Sequence, residues 1–257
     1  MPLTELMNYF NDQLQTQART KSLPKTGFFK ADSQYWARFG NLILGSHFQG
    51  IYKFSNEAII GYNSELLVRS STGNQLNIDS IFNSLDSTDQ IVHLDRLVRT
   101  LHSLNYLQQH DGRKDLLSLQ VQPRHIVSVV SDHGKAFEKI LSDCGLGSER
   151  VLLHTHLLNH ETLHHFHNAL RNYRDRGYKI GISLSETHEV ELLSHLDIEP
   201  DVIFVDHPAM TKFVLDNQLP SSFKKALRIL VSNREENGSA INITIRSVAD
   251  GLLLITP

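Results

Sequence analysis

The sequence predicts an α/β chain built around one α/β barrel, and three observations carry that prediction. From residue 116 onward the apolar runs LLSLQV, VLLHTH, KIGISL and VIFVD alternate with stretches of helical periodicity. Strands separated by helices of this length imply a parallel sheet with right-handed crossovers, and a closed barrel is its economical form. A hairpin precedes the alternation: in IYKFSNEAIIGYNSELLVR, residues 51–69, a polar Ser55-Asn56-Glu57 turn separates two apolar and aromatic runs. The chain length fits as well, since 257 residues, 40% of them hydrophobic, can bury a single large core and are nearly all used by one barrel.

In chain order, residues 3–18 read as an amphipathic helix with Leu6, Phe10 and Leu14 on one face and Thr4 as a cap. The segment 21–26, which contains Pro24, ends it, and Phe28, Phe29, Tyr35, Trp36 and Phe39 follow as an aromatic patch. Such a segment either closes a core or docks a partner. After the hairpin, residues 78–85 and 91–109 are helical, the second with Leu97, Leu101 and Leu104 on one face. Asp95 is placed near the start of that helix, where a carboxylate favours the dipole, and Arg96 within reach of a barrel carboxylate. Helices are expected at 137–144, 163–173, 190–196 and 223–235. Residues 241–248, INITIRSV, run through a turn at Ala249-Asp250-Gly251 into the final apolar segment, so the barrel is expected to close with an antiparallel hairpin.

Charge and composition narrow the function classes. Twenty-five basic against 28 acidic residues are too balanced for a nucleic-acid surface or an anionic membrane. The chain has no 20-residue apolar run, and its start lacks a signal peptide's basic and apolar regions, so a cytoplasmic protein is expected. The single Cys144 excludes an intramolecular disulfide and reads as a small buried hydrophobe. Fifteen histidines make the net charge responsive between about pH 6 and 7.

Gln49-Gly50-Ile51, then Gly61-Tyr62, then Glu65-Leu66-Leu67-Val68-Arg69, with Leu94-Asp95-Arg96 beyond, follow the order of a known signature. The chain resembles the EAL domains, bacterial proteins that hydrolyse cyclic di-GMP at a metal site in a modified TIM barrel. Their signature is a Gln-Pro-Ile strand followed by Gly-x-Glu-Ala-Leu-x-Arg. The resemblance covers residues 39–257. It implies a modified TIM (β/α)8-like barrel of the EAL type at residues 41–257, with residues 1–40 as an N-terminal helical and aromatic extension and with a shortened C-terminal end. Leu66 replaces the family alanine, and Asn63-Ser64 lengthen the gap between glycine and glutamate. Unless that gap is absorbed, Asn63 stands where the family glutamate does.

Matched onto the family's strand ends, Glu65 and Asp206 remain as carboxylates. Gln120 replaces a ligand asparagine, His154-Thr155-His156 replaces Glu-Ile-Thr-Glu, Ser183 and Leu184 replace paired aspartates, and Phe204 replaces a lysine. Hard divalent cations need converging oxygen ligands, and a leucine supplies none. The chain is therefore identified as a degenerate member of the family, with no functional catalytic residue expected. Gln49, Glu65, Arg69, Gln120, Ser183 and Asp206 are the candidates for a ligand pocket. Mg2+ or Mn2+ serves active members; here no cofactor is expected, and His154 and His156 are the candidate ligands for any metal, with His160, His164 and His167 following at helical spacing.

Three function classes follow. The first is an inactive regulator of cyclic di-GMP signalling, acting through a protein partner or a homodimer and binding the dinucleotide weakly or not at all. The others are a receptor that binds without cleaving, and a metal-dependent hydrolase with a histidine-containing site.

Overall fold

The computed structural model describes residues 2–20, 23–110, 115–129, 135–205, 225–233 and 249–255. The chain runs α1 (Leu3–Thr20), β1 (Thr26–Ala31), β2 (Gln34–Phe39), β3 (Leu42–Lys53), β4 (Ile59–Ser70), α2 (Ile78–Asn83), α3 (Thr88–Gln109), β5 (Leu116–Gln120), α4 (Pro123–Ser128) and α5 (Lys135–Cys144). It continues with β6 (Val151–Thr155), α6 (Leu163–Asp175), β7 (Lys179–Leu184), α7 (Thr187–Ser194), β8 (Val202–Val205), β9 (Leu227–Asn233) and β10 (Gly251–Ile255). Two compact units share these elements, and β3 and β4 contribute to both. No described helix is long and apolar enough to cross a membrane.

One unit comprises residues 49–63, 115–134 and 149–257. Its strands β4 through β10 lie side by side, parallel at every step, and β10 then pairs antiparallel with β3, which also pairs with β4. The result is a closed eight-stranded barrel. Ile51, Leu152, Val202, Phe204, Ile229 and Leu253 fill it. Two aspartates standing just before parallel strands hold neighbouring strands together. Asp201 accepts the Ile180 N–H through Oδ2 (2.8 Å), donates its own N–H to the Ile180 carbonyl (2.8 Å) and accepts Leu227 N–H at its carbonyl (2.9 Å). Asp250 repeats the arrangement: Oδ2 accepts Arg228 N–H (2.9 Å), its N–H reaches Arg228 O (2.8 Å), and its carbonyl accepts Phe54 N–H (3.0 Å). Gly251 follows at a crossing too close for a side chain, since a Cβ there would stand 2.4 Å from the Tyr52 carbonyl oxygen.

The other unit comprises residues 1–48, 64–114 and 135–148. Here β1, β2 and β3 form an antiparallel meander, with helices α1, α3 and α5 packed around it. The predicted apolar face of α1 is used here: Leu6 and Phe10 are buried with Phe28, Tyr35, Leu97 and Leu101. Asn11 fastens the helix to β1, accepting Phe28 N–H (2.6 Å) and donating to Phe28 O (2.9 Å). Asn105 of α3 does the same for β2 by bonding both backbone groups of Tyr35 at 2.8 Å. Cys144 is partly buried against this core, and burial, with Asp143 beside it, pushes its thiol up to about 12.

Two local expectations are corrected. Asp95 lies in the eighth position of α3, too deep to serve the helix N-terminus, and is fully buried with Arg99, whose Nη2 and Nε donate to Oδ2 at 2.5 and 2.9 Å. The guanidinium also lies 4.5 Å over the Phe137 ring. The neighbouring Arg96 lines a cavity of about 430 Å3 with Phe10, Leu14, His93 and Ile140. The helix expected at 223–235 is a strand at Leu227–Asn233, because an apolar run rich in branched side chains is buried between two parallel neighbours. The antiparallel hairpin expected at the end of the barrel falls only in part within the described residues, where β10 is parallel to β9 and antiparallel to β3. Residues 241–248, expected as its first arm, lie outside the described residues.

The burial of Phe10 makes α1 part of a core rather than a free docking face. Phe10→Ala is expected to cost about 3–5 kcal/mol, the usual range for emptying a buried phenyl site. Urea unfolding would show it as a lower midpoint at unchanged slope; a loss under about 1 kcal/mol would mean the face is not core.

Candidate functional site

Residues in register on neighbouring strands share a face, so the pairing identifies what points into the barrel. Gln120 stands opposite His154, His154 opposite Gly181 and Gly181 opposite Val202. Farther toward the strand ends, Ser183 stands opposite Phe204 and Phe204 opposite Ile229. Because Leu152, Val202, Phe204 and Ile229 form the barrel core, His154, Gly181 and Ser183 belong to the same inner surface.

The His154 ring is the centre of this surface. Its Nδ1 is 3.0 Å from Ser183 Oγ, and its ring centroid is 5.0 Å from that of Phe204. Gly181 makes room for it, since a Cβ at that position would stand 2.6 Å from His154 Cβ. The imidazole is 8% exposed, and its Nε2 is buried and meets no hydrogen-bonding partner among the described residues. Burial, helped by the nearby His156, lowers its pKa to about 3, so the ring is neutral throughout the physiological range.

His156 does not share this face. It follows the end of β6 and turns to α7, where Nδ1 lies 3.1 Å from Glu189 Oε1. Glu189, which sequence reasoning passed over, is 3% exposed; its other oxygen accepts the N–H groups of Ser185 and Glu186 at 2.6 and 2.9 Å. Burial raises the Glu189 pKa, yet the bonds from His156, Ser185 and Glu186 outweigh it and hold the carboxylate below its usual range. Its signal in the sequence was a glutamate three residues after a helix start, the spacing of a capping box.

The remaining candidates are spread out. Gln49 is buried on β3, and Gln120 is exposed at the end of β5. Strand β4 pairs with β5 from Gly61 through Asn63, so Asn63 stands beside Ser118 with its Oδ1 buried and unpartnered among the described residues. Glu65 follows two residues later, in the other unit. Burial lifts its carboxyl above the usual range, offset in part by His47. Arg69, also in that unit, lies 5.7 Å over the Trp36 ring. Asp206 lies outside the described residues.

Solved structures share this architecture. Over 91% of this chain and 58% of theirs, the Klebsiella pneumoniae BlrP1 manganese and cyclic di-GMP complex at pH 9.0 matches with a TM-score of 0.62 at 15% identity. The chain has the EAL-type fold. The EAL-domain protein YkuI of Bacillus subtilis, in complex with cyclic di-GMP and calcium, matches 81% of this chain and 53% of its own with a TM-score of 0.59 at 16% identity. The EAL domain of Xanthomonas citri FimX, in complex with cyclic di-GMP, matches 82% and 85% with a TM-score of 0.58 at 15% identity. This chain thus spans little more than half the length of BlrP1 and YkuI. No family model and no curated protein matches the sequence.

An active EAL-type barrel implies Mg2+ or Mn2+, and the described side chains around His154 do not fit either ion. Such ions take several oxygen donors, carboxylates above all. Around His154 the described side chains are a hydroxyl, a carboxamide and a phenyl ring, beside the neutral imidazole itself. His154 Nε2 is a nitrogen donor, and Nδ1 is engaged with Ser183.

Two buried histidines make stability depend on pH. His102, whose Nδ1 lies 2.8 Å from Ser46 Oγ, is also lowered to about 3 by burial. Unfolding frees each ring to take up a proton below its ordinary value of about 6.5, while the folded form stays neutral down to about 3. Stability therefore falls as pH drops from about 6.5 to 3, by up to about 1.4 kcal/mol per pH unit for each ring. In His154→Gln, proton uptake on unfolding near pH 5 should fall by about one. Unchanged uptake would show that the native ring is already charged there.

Proposed function

We propose that this chain is a degenerate EAL-type protein of bacterial cyclic di-GMP signalling that does not hydrolyse the dinucleotide and acts in the cytoplasm as a regulator, through a protein partner or its own dimer. The observation that carries the reading is the His154–Ser183–Phe204 surface inside the barrel, where a neutral ring and a hydroxyl stand at positions matched to the family's acids and a phenyl at one matched to its lysine. The connection to cyclic di-GMP is supported by the resemblance of residues 49–69 to the family signature and by the structures of like fold solved with that dinucleotide.

Without metal counterions a bound dinucleotide would keep its phosphate charges unneutralised in a partly desolvated site, at a cost of up to roughly a few kcal/mol. Weak binding or none follows. The carboxamides of Asn63 and Gln120 can still hydrogen-bond a base edge, which makes a non-hydrolysing receptor the second reading.

Incubation of the purified chain with cyclic di-GMP and Mg2+ or Mn2+, analysed by chromatography, is expected to give no linear dinucleotide above background. Calorimetry should give weak binding or none, and sedimentation should report self-association if the dimer is the working form. Metal-dependent turnover would overturn the reading, while submicromolar binding without turnover would replace the partner-dependent regulator with the receptor.

A further inference from the structure

A second group of donor side chains lies on the surface of the barrel unit, apart from the inner surface around His154. We propose that His160, Glu191 and His195 form a site for one borderline divalent transition-metal ion, Zn2+ foremost, with water completing the coordination. Sequence spacing alone had grouped His160 with His164 and His167. Instead His160 sits in the 3-10 turn His160–Thr162 before α6, while the rings of His164 and His165 pack on each other at 3.9 Å.

The partners of His160 come from α7 and its C-cap. Glu191 and His195 are four residues apart on one helical face, the spacing by which a helix offers two ligands to one ion. His160 Nε2 lies 3.9 Å from Glu191 Oε1, and the His160 and His195 rings meet edge to face at 5.1 Å. One donor atom from each residue lies within 4.8 Å of the other two. Bonds of about 2.0–2.2 Å in tetrahedral geometry need donor atoms roughly 3.3–3.6 Å apart. The side chains must close in by about 1.5 Å at most, and they are free to turn, since those of His160 and Glu191 are 58% and 70% exposed.

The backbone under these side chains is already held. His156 and Glu189, bonded at 3.1 Å, tie the segment that leads to His160 onto the first turn of α7. Leu157 beside them is 2% exposed, and Asn159 Oδ1 accepts Thr162 N–H at 3.1 Å, shaping the turn that presents His160. The ion therefore needs only rotamer changes to bind. Two neutral imidazoles and one carboxylate form the His2Glu donor set of open zinc sites, and they favour Zn2+, Cu2+ or Ni2+ over Mg2+ and Ca2+, which take oxygen.

Titration of the full chain with ZnCl2 in a calorimeter, repeated with MgCl2, tests the site, with Co2+ absorption as a second readout of coordination. The expected result is one Zn2+ per chain at the tightest step, no competition from excess Mg2+, and at least about tenfold weaker binding in His160→Ala, Glu191→Gln and His195→Ala. His164→Ala should bind as the parent does, which controls for the many other histidines. All four positions are exposed, and a melting curve of each variant checks that it is folded. Equal Zn2+ affinity in a folded His160→Ala/His195→Ala double variant, or equal loss in His164→Ala, would overturn the proposal.

Discussion

Each strand entering a parallel barrel needs its register set before its own ladder begins, and two aspartates supply that constraint here. Asp201 binds both backbone groups of Ile180 and reaches Leu227, and Asp250 does the same for Arg228 and Phe54. One carboxylate oxygen and two backbone groups thus join three strands at the entrance of β8 and again at that of β10. A slip of one residue would turn the inner surface outward, so the contents of the barrel depend on these clamps. Gly251 completes the second one by letting the Tyr52 backbone come close enough for β10 to meet β3.

With the register set, the described side chains around His154 are polar without carrying charge. His154 is neutral because burial holds its pKa near 3, and Ser183 occupies one of its nitrogens. Carboxylates in the same place would need cations or protons to be tolerated. Three carboxylates of this unit lie elsewhere: Glu189 at the edge of α7, shared by His156 and two backbone N–H groups, and Asp201 and Asp250 at strand entrances. An interior of this kind can be kept stable without a bound ion. That links the stability of the fold to its proposed lack of chemistry.

Much of the architecture was legible because the apolar runs LLSLQV, VLLHTH, KIGISL and VIFVD are strand-like in residue type and separated by helical periodicity. The hairpin at Ser55-Asn56-Glu57 was legible from its turn residues. LRILVSN was misread as helix because a continuous apolar run has no period to separate a buried strand from a buried helix. At the candidate site, His154 and Ser183 could be named from the family pattern, but their 3.0 Å contact is a property of strand register, which a linear pattern does not contain. The pairing of His156 with Glu189 joins residues 33 apart, and that of Asp95 with Arg99 depends on which face of α3 is buried. Such contacts come from packing.

Cys144 ends α5 partly covered by the core of the unit that holds α1 and α3, with its thiol near 12. At neutral pH only about one molecule in 100,000 then carries the thiolate, the form that oxidants and alkylating reagents attack. Oxidation and alkylation of this thiol are therefore slowed while α5 is seated. The sulfur regains ordinary reactivity only when the helix lifts away, and with no second cysteine in the chain to compete, its rate of modification becomes a clock for that one local opening.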